Sequence, residues 1–225
     1  MSDVPPPPPP PPPGGSFGTP PPSNSADVGA ALSYGWNKFT QNAGVLIAVI
    51  VIPFAVQLVF NAIAFAIQGA VAYVLLGILG LVVSAALNIG IFNTALMITA
   101  GETATVGKAF STDRWGEWIG FSIVFQLFVG IGLAFCVIPG LFILAFFGLA
   151  PYYFLDQRKS LGDAFSASLN ATRGRSGLPF AIAVTVLVGI AGVIVCYVGL
   201  LVTLPLAYTA VGFLYRWANN QQPAA

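Results

Sequence analysis

Three long stretches of this chain contain no Lys, Arg, Asp or Glu, namely residues 39–101, 118–155 and 176–215. A membrane-spanning helix needs about 20 mainly apolar residues. Each stretch is therefore too long for one span and long enough for two. Two spans in each stretch return the chain to the same side of the membrane every time. The sequence thus predicts an all-α integral membrane protein with six transmembrane helices arranged as three hairpins.

The composition indicates that the bilayer is the solvent of this chain. Of its 225 residues, 7% are charged and 57% are hydrophobic, and the mean hydropathy is +0.87. A soluble domain carries about 25% charged residues, so this chain lacks the polar groups that would cover a surface in water. The net charge of +1 gives no clustered basic field, and no nucleic-acid partner is predicted.

Short breaks in the apolar pattern predict where each hairpin turns. The turns are expected at residues 68–70, at residues 138–140 and near Gly199. The first stretch is also long enough for three spans, which would move the following charged segment to the opposite face. The predicted span pairs are 43–67 with 71–100, 118–136 with 140–155, and 178–196 with 200–215.

The basic residues and the tryptophans argue for the arrangement with two spans in each stretch. In that arrangement all eight Lys and Arg residues fall on one face, which the positive-inside rule makes cytoplasmic. Tryptophan prefers the headgroup level, and all four tryptophans fall at the same boundary. We therefore expect a protein of the cell (inner) membrane with both termini in the cytoplasm. The tryptophans are Trp36, Trp115, Trp118 and Trp217.

A six-residue pattern occurs three times, once ahead of each uncharged stretch. It reads aliphatic residue, Gly, any residue, Ala, Leu or Phe, and Ser, at residues 28–33, 106–111 and 161–166. Each copy is predicted to form a short amphipathic helix that lies at the membrane interface. The alternative is a helix packed on a protein core. In the third copy, Ser160 followed by Asp163 resembles a capping box.

The basic charge is densest around the third copy of the repeat. We predict that its basic side chains bind anionic lipid headgroups, since each basic residue near such a surface contributes about 1 kcal/mol. The alternative is that these charges only set the topology. The candidate headgroup-binding residues are Arg158, Lys159, Arg173 and Arg175.

The predicted spans contain polar but no ionisable Asp, Glu, Lys, Arg or His side chains, and the chain has no His at all. Proton relays and ion sites use such groups, so no catalytic residue, metal site or cofactor is predicted. The polar side chains are expected to form interhelical hydrogen bonds, with a polar pathway as the alternative. They are Gln57, Asn61, Ser84, Asn88, Asn93, Thr94, Ser122, Gln126, Thr185 and Thr203.

Two further features leave alternatives open. Cys136 and Cys196 each precede a predicted outer turn, where they form either a disulfide or two ordinary apolar contacts.

Residues 1–25 include an unbroken proline run from Pro5 to Pro13, which predicts a disordered, extended cytoplasmic tail. The tail is either a spacer or a docking strip for a polyproline-binding cytoplasmic partner. The predicted divisions are tail 1–25, membrane domain 26–217 and C-terminal tail 218–225.

Three short segments carry a resemblance to a known group of proteins: residues 31–39, 138–140 and 160–168. They resemble uncharacterised multi-pass bacterial membrane proteins related to the membrane region of glycerophosphoryl diester phosphodiesterases. The proline-rich tail is similar to that of relatives in high-GC Gram-positive bacteria. The resemblance covers residues 27–217 and implies a six-helix inner-membrane fold. The phosphodiesterase catalytic domain needs clustered acidic and His residues, which this chain lacks, so no catalytic residue is carried over.

Two functions are consistent with these features. The first is a non-enzymatic scaffold or accessory subunit that interacts with membrane lipids or with another membrane protein. The second is a small permease or lipid-handling carrier. They differ in the membrane interior, because a carrier needs a water-accessible cavity between its hairpins, whereas a scaffold is packed shut.

The three-hairpin arrangement predicts the result of a topology measurement. Reporter fusions after Gln68, Gly101, Val137 and Ala225 should alternate outside, inside, outside, inside, because charge and Trp are confined to one face. Paired fusions of alkaline phosphatase and green fluorescent protein would read both sides. An extracytoplasmic signal at Gly101 would contradict the arrangement and favour three spans in the first stretch.

Overall fold

The computed structural model describes residues 26–67, 69–194 and 199–224, and all regular elements within these ranges are helical. The predicted tail, Gln68 of the first turn and Cys196 lie outside the described residues. The helices are α1 Val28–Ile67, α2 Ala70–Leu87, α3 Ile89–Ala100, α4 Val106–Ala109, α5 Trp115–Phe135, α6 Val137–Phe147, α7 Ala150–Asp156, α8 Leu161–Arg173, α9 Leu178–Ala191 and α10 Leu200–Ala218.

Five helical segments are long and apolar enough to cross a membrane. A sixth crossing results if α8 and α9, which meet at 108°, form one bent span. These segments indicate a membrane protein. Two of them cover the first uncharged stretch, since α1 begins before it at Val28 and α2 and α3 together form one segment. The five are Val28–Ile67, Ala70–Ala100, Trp115–Phe135, Val137–Asp156 and Leu200–Ala218.

A kink in α1 separates the first copy of the repeat from the predicted first span. Asn42 has a non-helical backbone (φ −124°, ψ 22°). Its side-chain amide donates a 3.0 Å hydrogen bond to the Lys38 carbonyl, a local bond of the kind that competes with helical pairing. The separation expected between residues 28–41 and the span at 43–67 is therefore present.

The three copies of the repeat share a polar cap on the residue that precedes them. Each cap side chain accepts a hydrogen bond from the backbone N–H three residues later, which satisfies one of the free donors at a helix start. Asp27 accepts from Ala30 at 3.1 Å, Thr105 from Lys108 at 3.4 Å and Ser160 from Asp163 at 3.3 Å. The Ser160 half of the predicted capping box is confirmed, and the Asp163 carboxylate accepts from the Ser160 hydroxyl at 2.6 Å.

The fourth residue of the repeat is alanine in all three copies, and its burial explains why a small residue recurs there. Ala31, Ala109 and Ala164 all have 0% exposure. A helix or turn that starts at the cap places this side chain against the neighbouring helices, where a larger residue would separate them. The repeat therefore encodes a capped turn that packs closely on the bundle.

The second copy forms only one helical turn, so the amphipathic helix predicted there is wrong in length. The chain leaves the helix at Phe110, whose ring packs against Gly90 of α3. Asn93 of α3 then donates to the carbonyls of Ala109 at 3.0 Å and Ser111 at 3.2 Å. These side-chain contacts replace the hydrogen bonds that a longer helix would have formed.

The apolar faces of the first and third copies pack on protein. Tyr34 stacks near Phe213 of α10, with ring centres 5.0 Å apart. Phe165 of α8 lies against rings from α5 and α6, including Phe121 at 5.6 Å and Phe147 at 5.7 Å. For these two faces, the alternative of a helix packed on a protein core describes the structure.

The depth predicted for the four tryptophans stays a prediction, but Trp118 differs from the others because it faces the protein and not the lipid. Its side chain is 0% exposed and its indole N–H donates a 2.9 Å hydrogen bond to the Ala85 carbonyl of α2. The first turn of α5 packs on α2, so its inward side chain fills the core. Trp36 and Trp115 are exposed, at 52% and 39%, and Trp217 is half-buried.

The second hairpin turns earlier than expected. Cys136 is extended and ends α5, and α6 already begins at Val137. The predicted turn at residues 138–140 therefore lies within the first turn of α6, where Pro139 has no helical N–H to lose. Cys136 has a free, exposed thiol, and the question of its pairing with Cys196 lies outside the described residues.

The packing of α1 on α10 predicts a strong effect of substituting Gly35. A Cβ atom at Gly35 would lie 2.7 Å from the Leu206 carbonyl oxygen and 3.2 Å from the Ala210 Cβ. Gly35→Val should lower the free energy of unfolding by about 1–3 kcal/mol, because overpacking displaces the helices. Gly44→Val in the same helix, where no atom lies within 4 Å, is the control. Equal thermal unfolding midpoints of the two variants in detergent would contradict this packing.

Candidate functional site

The four basic residues predicted to bind headgroups do not meet in one place. Arg158 forms an ion pair with Asp113, ahead of α5. Arg175 donates a 2.9 Å hydrogen bond to Asn220 and lies 4.8 Å from the ring centre of Trp217. Within the described residues, Lys159 and Arg173 form no ion pair. Arg158 and Arg175 therefore have partners within the protein, and headgroup binding by the four residues stays a prediction.

Two neighbouring cavities lie among the charged segments that connect the apolar helices. Their volumes are about 450 and 270 Å³, and both are bordered by Asn93, Ser111, Leu155 and Asp156. We call them together the charged cleft. The larger cavity is also lined by the charged residues Glu102, Lys108 and Arg216, and the smaller by Asp113, Arg114 and Arg158.

Most charges of the cleft are already compensated by neighbours. Arg216 contacts Asp156 at 3.3 Å, and the same carboxylate accepts a 2.6 Å hydrogen bond from the Tyr215 hydroxyl. Arg114 pairs with Glu117, beside the smaller cavity. The guanidinium of Arg158, which donates a hydrogen bond to Asp113, lowers the pKa of that carboxyl below its ordinary value. These pairs fix the walls of the cleft.

The helices place the cleft residues from distant parts of the sequence. Asn93 projects from α3 and holds the segment after α4 through the carbonyls of Ala109 and Ser111. Lys108 is carried by the capped turn of α4, and Arg216 by the last turn of α10. The sequence singled out Asn93, as a polar residue of a predicted span, and Arg158, as a basic residue near the third repeat copy, but no local spacing connects them with the other residues of the cleft.

A third cavity, of about 420 Å³, lies between α3, α5, α6, α7, α9 and α10. We call it the apolar cavity. No described residue that lines it is charged. Its polar side chains include Gln126, which donates to Ser122 at 3.1 Å, and Tyr152, whose hydroxyl donates to the Tyr208 carbonyl at 2.7 Å. Its wall is otherwise largely hydrocarbon, with Val129, Leu133, Val186, Ile190 and Leu204 among the contributors.

Buried aromatic rings lie between the two sites. Phe92 and Tyr152 line the apolar cavity, with ring centres 5.4 Å apart, and Phe154 lines the cleft. Trp118 links them, 5.8 Å from Phe92 and 6.0 Å from Phe154. All four rings are buried, so closely packed aromatic side chains separate the residues that line the apolar cavity from those that line the cleft.

The polar side chains predicted to connect helices mostly bond within their own helix. Thr94 donates to Gly90, Thr185 to Ala181 and Gln126 to Ser122. An interhelical bond is made by Thr203, which donates to the Gly189 carbonyl at 2.7 Å. Asn93 also bonds outside its own helix, to the Ala109 carbonyl of α4, so the predicted bonds between helices are present at Thr203 and Asn93 and replaced by bonds within one helix at Thr94, Thr185 and Gln126.

Within residues 26–67, 69–194 and 199–224, no group of three or more His, Cys, Asp or Glu could hold a metal ion. No family model matches the chain, and no solved structure matches it. It is similar to uncharacterised proteins of Mycobacterium bovis and Mycobacterium tuberculosis. Two of these are 29% identical over 233 residues, which cover 89% of this chain and 71% of the relative. These relatives are bacterial proteins, and their names give no activity.

The contacts of Arg175 predict that it stabilises the fold more than Arg173 does. Arg175→Gln should lower the free energy of unfolding by about 1–2 kcal/mol, since it removes a charged hydrogen bond and a cation–π contact with the end of α10. Arg173→Gln, two residues away, removes only a helix-end charge worth about 0.3 kcal/mol. Chemical unfolding in mild detergent would measure both. Equal losses would contradict a structural role for Arg175.

Proposed function

We propose that this chain is a non-enzymatic lipid-binding protein of the cell membrane that acts as a scaffold or accessory subunit. The proposal includes six spans, both termini in the cytoplasm, and kinship with the membrane region of glycerophosphoryl diester phosphodiesterases. Its partners would be membrane lipids together with another membrane protein or a polyproline-binding protein. The observation that supports lipid binding best is the uncharged apolar cavity between the helices.

The chemistry of the apolar cavity favours a hydrocarbon chain over a polar solute. Ligand pockets commonly have volumes of about 300–1,000 Å³, and the volume of about 420 Å³ lies in that range. Transported ions and protons need ionisable side chains within the membrane, and none lines this cavity among the described residues. The amide of Gln126 already donates to Ser122, so the wall offers a solute few free donors.

A lipid-handling carrier is the second candidate. The specific observation in its favour is the interruption beside the apolar cavity, where α9 gives way to a 3₁₀ turn at Gly192–Ile194. Discontinuous helices border the binding sites of many transporters. Both candidates bind lipid, and they differ in whether the bound lipid is retained or exchanged with the surrounding bilayer.

Filling the apolar cavity tests the proposal. Gly130 lines the cavity, and a Cβ atom added there would have no atom within 4 Å. Gly130→Leu should at least halve the lipid that stays bound through purification, because the new side chain occupies the space of a hydrocarbon chain. Native mass spectrometry would count the lipids.

Gly120→Leu is the matched control, since Gly120 lies in the same helix, is equally open and does not line the cavity. Equal lipid retention in the two variants, at equal thermal stability, would overturn the proposal. Exchange of fluorescent lipid between the protein and liposomes then separates the candidates. Slow exchange supports a scaffold, and fast exchange that Gly130→Leu abolishes supports a carrier.

A further inference from the structure

An amide side chain lies on the exposed face of α1, among apolar side chains. Asn61 is exposed. Phe54, Leu58 and Phe65 are exposed as well, and their spacing places them on the same face of the helix. The segment that contains these residues is long and apolar enough to cross a membrane. Exposed apolar side chains continue beyond Asn61 to Ile67 at the end of α1, so in a crossing helix this amide would face hydrocarbon.

The amide of Asn61 is only partly satisfied by the protein. An asparagine amide offers two donor hydrogens and an acceptor oxygen. The oxygen accepts a hydrogen bond from Nε2 of Gln57 at 3.5 Å, which is longer than the usual distance of about 2.7–3.2 Å. Within the ranges that the structure describes, the nitrogen of Asn61 donates to no residue. Lipid tails accept no hydrogen bond, so the free donors favour a partner from another polypeptide.

Gln57 supports the exposed amide from the protein side. Gln57 is half-buried. Its amide lies over Gly80 of α2, where an added Cβ atom would be 3.6 Å from Nε2. The two amides occupy successive turns of α1, with Gln57 against the neighbouring helix and Asn61 at the surface. They thus form one polar group whose outer end is open.

A second copy of the chain has the chemistry that this amide needs. A carboxamide both donates and accepts, so two Asn61 side chains across a twofold axis can each donate to the other. Ala62 and Ala66 are exposed beside Asn61, and small residues let the backbones of two helices come close enough for such a pair. Leu58 and Phe65 of both copies would then cover the paired amides from lipid.

We infer that two copies of this chain associate in the membrane through the exposed face of α1, with the Asn61 amides paired at the twofold axis. Polar side chains at an otherwise apolar helix interface fix which positions meet, because any shift leaves them without partners. None of the described residues that line the apolar cavity belongs to α1, so the inference is independent of lipid binding in that cavity.

The test measures association of the full-length chain in phosphatidylcholine vesicles. Donor and acceptor fluorescent proteins are fused after Ala225, and energy transfer is followed as the protein is diluted with lipid. Wild type should show transfer that unlabelled protein competes away. Asn61→Leu should raise the protein-to-lipid ratio at half-maximal transfer by about fivefold or more, since it removes both hydrogen bonds between the copies. Asn61→Gln keeps an amide and should lie closer to wild type.

Controls on another helix locate the surface. Gly120→Leu enlarges an open position on α5 and should leave the energy transfer of wild type unchanged. Cross-linking gives a second measurement, in a chain whose two cysteines are replaced by Ser. There Phe65→Cys should be linked into a dimer by a short bismaleimide, whereas Val124→Cys, at an exposed position of α5, should not.

Three results would overturn the inference: no energy transfer in wild type, equal transfer in wild type and Asn61→Leu, or equal cross-linking of the two cysteine variants. The first would leave a different membrane protein as the occupant of this face. Gly130→Leu separates the inference from the proposed function. That variant should lower the retained lipid and leave energy transfer intact, whereas Asn61→Leu should do the reverse.

Discussion

Charged side chains are costly within hydrocarbon, and this chain places all of its Lys, Arg, Asp and Glu residues outside three long apolar stretches. The segments that carry the charges consequently meet one another. Asp113 reaches Arg158, and Asp156 reaches Arg216. The charged cleft is formed where these segments converge, between walls already neutralised by ion pairs.

Each of the three charged segments contains one copy of the repeat, so the three segments have a similar local structure. A cap at Asp27, Thr105 or Ser160 starts a turn, and an alanine four residues later is fully buried. The cap directs the first turn, and the small side chain lets it approach the bundle. In the second copy the cap and the buried alanine belong to a single helical turn, and this turn places Lys108 at the cleft.

Hydropathy and charge predicted the helical class, the apolar segments and the break before residue 43, because these depend on local composition. Contacts between residues far apart in the sequence could not be predicted from local composition. Trp118 was expected at the interface because tryptophan prefers the headgroup level. The sequence gives no sign that its side chain packs beside Phe92 and donates a hydrogen bond to the Ala85 carbonyl. The length of α4 depends on Phe110 and Asn93, whose partners lie at other points in the chain. The cleft escaped prediction for the same reason, whereas Arg158 was found because basic residues cluster near it.

The helices α1 and α9 differ in length, and this has a consequence for how each could cross a membrane. Beyond Asn42, α1 continues to Ile67, and the far end of that helix is exposed, with Phe65 at 81%. By contrast α9 has 14 residues, or about 21 Å at 1.5 Å per residue, against about 30 Å of hydrocarbon. α8 and α9 are long enough for a crossing only together, at an angle of 108°, whereas α1 is long enough by itself. A crossing at α9 would therefore include this bend, and its first part would be the amphipathic helix of the third repeat copy.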